Sequence, residues 1–246
     1  MKHTNKLLLL LVVTVSVLFF NACDDDSDMP APTSGTVNFV FKNEVDGQLI
    51  QQNSMIYSNT AGNSYSVTLL KYYISNITFV NSDGSEFVAP NYELVDDDSA
   101  GSKIFSMNVP FGNYTNLKFL MGVDSAKNHS GAQAGELSPD YGMFWDWNTG
   151  YVNFKHEGEF LDSAGVVQPI MYHYGDLKAL IPHEMNIAFP VSTSPIIITV
   201  TFNLNKIYRS PNVIDFNGNN LNSGTPPWLL IMKENLPGAF TVTSIE

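Results

Sequence analysis

Cysteine is nearly absent: among 246 residues Cys23 is the only one. A single thiol excludes intrachain disulfides, zinc ribbons and iron–sulfur clusters, so the folded part must be stable by burial alone. Positive charge is scarce as well. Twelve Lys and Arg against 24 Asp and Glu leave a formal net charge of −12, a field that repels nucleic acid and anionic lipid head groups. The chain has no GxSxG, phosphate loop, HExxH or Cys/His cluster, and no acid/base pair at a convincing spacing. No catalytic activity is expected of it. Helical periodicity is almost missing beyond residue 20, and the one long apolar run is Leu7 to Phe20.

That run follows Lys2 and Lys6 and ends at Ala22-Cys23. It is too short to span a bilayer, which needs about 20 apolar residues, and it has the charge and polarity profile of a cleaved signal peptide. Residues 1–22 therefore read as a signal peptide and Cys23 as a lipid attachment point, which makes the membrane a partner through the N-terminal lipid. Residues 23–35, with Asp24-Asp25-Asp26-Ser27-Asp28 and then Pro, Thr, Ser and Gly, read as a solvated tether. Acidic residues after the lipidated cysteine resemble the surface-export signal of Bacteroidetes lipoproteins. The expected location is the outer membrane, on its periplasmic face or at the cell surface.

Residues 36–246 read as a single all-β domain, an antiparallel β-sandwich with long functional loops. Short runs rich in Val, Ile, Thr, Tyr and Phe recur between Gly, Asn, Asp and Pro. Candidate strands are Thr36 to Phe41, Ser66 to Val80, Tyr92 to Val95, Lys103 to Met107, Leu117 to Gly122, Gly150 to Glu157 and Pro195 to Leu204. In the last, Ile196, Ile198, Val200 and Phe202 alternate with Ile197, Thr199, Thr201 and Asn203, as in a half-buried strand. Asn81-Ser82-Asp83-Gly84 predicts a hairpin turn. The polar stretch Asp124 to Asp140 is long for a loop in a compact domain and is the expected site loop.

Two dense spots carry most of the candidate chemistry. Trp145 and Trp147 lie two residues apart and would share a strand face, as core, as a carbohydrate-stacking surface or in a redox role. In Met171-Tyr172-His173-Tyr174-Gly175, an extended chain points Met171 and His173 the same way, offering a thioether and an imidazole, donors suited to copper. His129 lies in the expected site loop, whereas His156 and His183 read as surface residues. Asp215-Phe216-Asn217-Gly218-Asn219 starts like a calcium loop but has Pro226 where the bidentate Glu belongs, so calcium is not expected there.

Taken together and in order, Lys71-Tyr72-Tyr73-Ile74-Ser75-Asn76-Ile77, Gly122-Val123-Asp124-Ser125, Asn128-His129, Met143-Phe144-Trp145-Asp146-Trp147 with Gly150-Tyr151, and His173-Tyr174-Gly175 resemble the MbnP-like family. The likeness runs from about Val37 to the C-terminus and departs from the family at His156 and Asp176. It implies a β-sandwich that binds copper through histidines. Some members place beside the metal a tryptophan oxidised to kynurenine by a partner di-haem cytochrome c peroxidase. Carried over, the metal ligands are His129 and His173, with Met171 as an additional donor, and the oxidisable residue is Trp145 or Trp147. A competing reading is an outer-membrane adhesion or carbohydrate-binding module that stacks its ligand on Trp145, Trp147 and Trp228.

Overall fold

The computed structural model describes residues 31, 33–98, 102–146, 148–175, 180–224 and 233–246. The signal peptide, Cys23, Trp147, Asp176 and Trp228 lie outside the described residues, as do the expectations that rest on them. Alternating apolar residues fold into strands β1 (Ser34–Val45), β2 (Gln48–Leu49), β3 (Tyr57–Ser58), β4 (Ser64–Asn81), β5 (Glu86–Asp96), β6 (Ser102–Pro110) and β7 (Gly112–Met121). After a region of short turns come β8 (Phe144–Asp146), β9 (Gly150–Leu161), β10 (Val167–Gly175), β11 (Ile181–Val191), β12 (Ile196–Asn203), β13 (Leu221–Gly224) and β14 (Phe240–Ile245). The chain is all-β, as expected. Among the described residues, two pairings in the mostly antiparallel sheets are parallel, β1 with β12 and β10 with β13.

The smaller sheet runs β14-β12-β1, with β6 on the far edge of β1 and β2 at its end. The larger is built on β4, whose 18 residues outrun any single partner. Its residues 71–80 pair with β5 along one edge. On the other edge, residues 65–72 pair with β9 and 74–81 with β7. The larger sheet is therefore forked. β7 leads outward to β11, and β9 leads outward to β10 and β13. The predicted turn is present: Gly84 has φ +86° and donates its N–H to the Asn81 carbonyl at 2.9 Å.

Between the sheets lies an aromatic core. Phe39 meets Phe79, Phe41 meets Phe119, and Phe202 meets both Tyr72 and Phe154, with ring centroids 5.1–6.2 Å apart. Two histidines read as surface residues belong to it. His156 is fully buried and shares a 2.6 Å hydrogen bond through Nδ1 with the Tyr208 hydroxyl; Tyr65 and Tyr172 pack against its ring. His183 is 5% exposed, stacked on Phe119 and edge-on to Phe240. The sequence reading failed because His156 and His183 fall on the inward phase of β9 and β11, which flanking Lys155, Glu157 and Glu184 conceal.

Burial has a pH consequence. It pushes His156 down to about 3 and His183 down to about 4, so both stay neutral in the fold, while the unfolded chain takes up protons near 6.5. Their stabilising contribution is whole above pH 6.5 and is lost as pH falls through that value toward 4 and 3. Asp97 runs the other way. Buried beside Asn43, it is raised to about 7, so the fold gains stability as pH drops from 7 toward 4. For these three groups alone, two histidines against one carboxylate leave a net uptake of one proton on unfolding, or about 1 kcal/mol lost per pH unit between pH 6 and 5. Urea unfolding at several pH values should show stability falling across this window, and His183→Phe should make the fall shallower by about 1 kcal/mol per pH unit; an unchanged slope would refute the assignment.

Candidate metal centre

At the fork β7 and β9 part, and their backbone groups need new partners. Gly122 donates its N–H to the Tyr73 carbonyl at 2.8 Å and accepts from Ser75 Oγ at 2.7 Å. The fully buried Asn153 of β9 accepts from the Val123 N–H at 2.9 Å. Gly122 has φ +121°, and a Cβ there would lie 2.6 Å from the Asn153 side chain, so glycine is required. Beyond the fork the edge of β9 that β4 has left is taken by β8, with Val152 N–H donating to the Met143 carbonyl at 2.8 Å.

Residues 124–142, the expected site loop, carry a short helix, α1 (Ser125–Asn128), and two 3₁₀ turns, Gly135–Leu137 and Pro139–Tyr141. Asp124 caps α1 by accepting from Ala126 N–H at 3.0 Å. It also accepts from the Tyr92 hydroxyl at 2.8 Å and from the Asn76 amide. Asn76 reaches it from a β4 bulge at φ +52°. Under the loop lies a second small core of Tyr73, Leu94, Val123, Leu137, Met143, Tyr151 and Val152. The two tyrosines meet edge to face at 5.9 Å. Their hydroxyls donate to the Glu136 and Leu137 carbonyls at 3.1 and 2.9 Å. Fixed hydrogen bonds and burial, rather than regular secondary structure, define this segment.

The loop seats its histidine through Asn128, which is fully buried. Asn128 Oδ1 accepts from Tyr151 N–H at 2.9 Å, so its amide nitrogen is the donor to His129 Nε2 at 3.3 Å. Gly150 admits this contact: it has φ +77°, and a Cβ would lie 2.5 Å from the Asn128 carbonyl. His129 itself is exposed.

On β10 the predicted alternation is present. Ile170, Tyr172 and Tyr174 point inward; Met171, 41% exposed, and half-buried His173 point outward. Across the ladder Met171 registers with Glu157 and His173 with Lys155. His173 Nε2 lies 2.7 Å from Glu157 Oε1. Burial, aided by Lys155 and opposed by Glu157, lowers the His173 pKa, so the imidazole is neutral at neutral pH, as metal ligation requires. Lys155 lies 3.6 Å from the same carboxylate oxygen. It also donates to the Gly142 carbonyl, while Lys71, paired with Asp96, donates to that of Tyr141. The two lysines tie the second 3₁₀ turn to the outer face of the sheet.

Half-buried Trp145 of β8 connects the two halves. Its six-membered ring lies against Gly175, where a Cβ would come within 2.3 Å of Trp145 Cζ3 and 2.7 Å of the Tyr151 carbonyl. The glycine two residues after His173 is thus what lets the indole lie on the strand. The fold brings the Asn128-His129 pair, Trp145 and the end of β10 to one junction around Gly150 and Tyr151, with Met171 farther along β10. Among the described residues no three His, Cys, Asp or Glu side chains form a ready metal cage. The candidate donors read from the sequence, two imidazoles and a thioether without thiolate, are of a kind that suits copper. Glu157 escaped the sequence reading. Its signal, an outward position on β9, gains meaning only once the β9-to-β10 register is known.

The family model for MbnP matches residues 34–225, well over half of the chain. The chain belongs to the MbnP family. Among solved structures, MbnP from Methylosinus trichosporium aligns at 15% identity with a TM-score of 0.50, over 73% of this chain and 79% of that one, a likeness of fold. No curated protein matches. The described residues of the five stretches that carried the resemblance in the sequence converge at the fork of this MbnP-family fold, although they lie up to about a hundred residues apart.

Gly175→Ala should expel the Trp145 ring at a cost of about 1–3 kcal/mol, the usual range for overpacking. Tryptophan emission should shift to the red relative to wild type, and the shift should vanish in a Trp145→Phe background. Emission unchanged by Gly175→Ala would remove Trp145 from this position.

Proposed function

We propose that this chain is an exported lipoprotein, anchored by a lipid on Cys23 to the outer membrane, that binds copper as cargo for acquisition or handling. Membership of the MbnP family suggests a copper-related function in principle. The observation that carries the finer reading is the contact of Gly175 with Trp145, because it joins the strand of His173 to the segment docked on Asn128-His129. In this reading His129 and His173 hold the ion, and Met171, outward-facing on the same strand as His173, is an additional donor. Neutral imidazoles rank copper above the other divalent first-row ions, and a single cysteine committed to lipid leaves the site free of thiolate.

Trp145 and Trp147 are the candidates for oxidation to kynurenine, a change that adds oxygen, removes one carbon and needs an external oxidant. A di-haem cytochrome c peroxidase is the proposed partner for it. As for a stacking platform, Trp145 is half-buried with its ring against Gly175, which favours a packed role over an exposed flat strip.

Copper loading of the mature protein, gel filtration and metal analysis test the reading. Wild type should retain copper, His129→Ala and His173→Ala should each retain less, and the double variant none. A double variant that loads like wild type would defeat the assignment of the site. Intact mass of the tryptophan-containing peptides, measured on the same samples, reads out the oxidation.

A further inference from the structure

We propose that Glu157 is a positioning residue that fixes the tautomer of His173 and so selects Nδ1 as the nitrogen offered to the metal. The inference rests on the copper reading above but concerns a residue outside its ligand set. A carboxylate can only accept a hydrogen bond. At 2.7 Å from Glu157 Oε1, His173 Nε2 must therefore donate. A neutral imidazole carries one N–H, so its lone pair is left on Nδ1. Metal-binding histidines are commonly held in this manner, with the second nitrogen donating to a carboxylate that orients the ring and raises its basicity.

The surroundings hold Glu157 in that role. It sits diagonally across the β9–β10 ladder from His173 and registers directly with Met171, so carboxylate, imidazole and thioether share one patch of the outer face. Lys155 Nζ, 3.6 Å from the same oxygen, holds the carboxylate in place. Lys155 is itself bonded to the Gly142 carbonyl, three residues before Trp145. The hydrogen bond that orients His173 is thereby coupled to the segment that carries the indole. Glu157 is about one-third exposed and contributes nothing to the core, so its replacement leaves the fold intact.

Two measurements test the proposal. In metal-free protein, two-bond ¹⁵N–¹H correlations of the His173 ring should show the Nε2–H form, and Glu157→Ala should convert it to a mixture. Glu157→Gln, whose amide oxygen still accepts, should retain it. In competition with a Cu(I) chelator, Glu157→Ala should weaken copper binding about 10- to 100-fold, the range for loss of an orienting partner, and Glu157→Gln should recover most of the loss. A wild type in the Nδ1–H form, or an Ala variant that binds as tightly as wild type, overturns the proposal alone. Equal losses in Gln and Ala overturn it in favour of direct ligation by Glu157. A wild type that takes up no copper overturns the copper reading, and with it the ligand-presenting role, whatever the tautomer.

Discussion

One edge of one strand governs the structure. β4 offers hydrogen bonds along that edge to two partners, β9 for its first half and β7 for its second. Where they separate, buried backbone groups would be left unpaired at a cost of about 1–3 kcal/mol each. The chain meets this with a positive-φ glycine at Gly122, the buried amide of Asn153 and the hydroxyl of Ser75. Closing the gap fixes where the β7-to-β9 connection begins and ends. The long segment in between carries Asn128 and His129 and packs over Tyr73 and Tyr151.

Because the segment is held by side chains more than by regular structure, its order depends on a few contacts with narrow tolerance. Tyr73 and Tyr151 form its floor and accept no shorter substitute, since their hydroxyls reach the carbonyls of the first 3₁₀ turn. Gly150 and Gly175 are the two places where segment and sheet approach backbone to side chain, and neither can carry a Cβ without displacement. What this arrangement supplies is placement: exposed His129 on the segment, half-buried His173 on the strand, and the Trp145 indole packed on Gly175 at the end of that strand.

Much of this was legible in the sequence, for identifiable reasons. Strand alternation put Met171 and His173 on the same side of the chain, since a period of two leaves only two choices; which side faces outward came from the fold. The polar length of Asp124 to Asp140 marked a long connection free of strands, and Asn81-Ser82-Asp83-Gly84 marked its turn. His156 and His183 were misread because isolated polar residues between charged neighbours look exposed in one dimension; only the partner sheet shows that each lies against aromatic rings. The two parallel pairings, the fork and the Glu157 contact depend on strand order and register, which local patterning does not carry. β1 likewise begins at Ser34, within the stretch read as tether, because its pairing with β6 reaches back to that residue.

The central claim is that copper is held at the fork by His129 and His173. Crystals of the copper-loaded mature protein, with anomalous diffraction collected on both sides of the copper absorption edge, test it most directly. The account predicts a copper peak bonded to a nitrogen of each imidazole, beside Trp145. A peak on any other set of side chains, or no peak in crystals of protein shown to retain copper in solution, would contradict it.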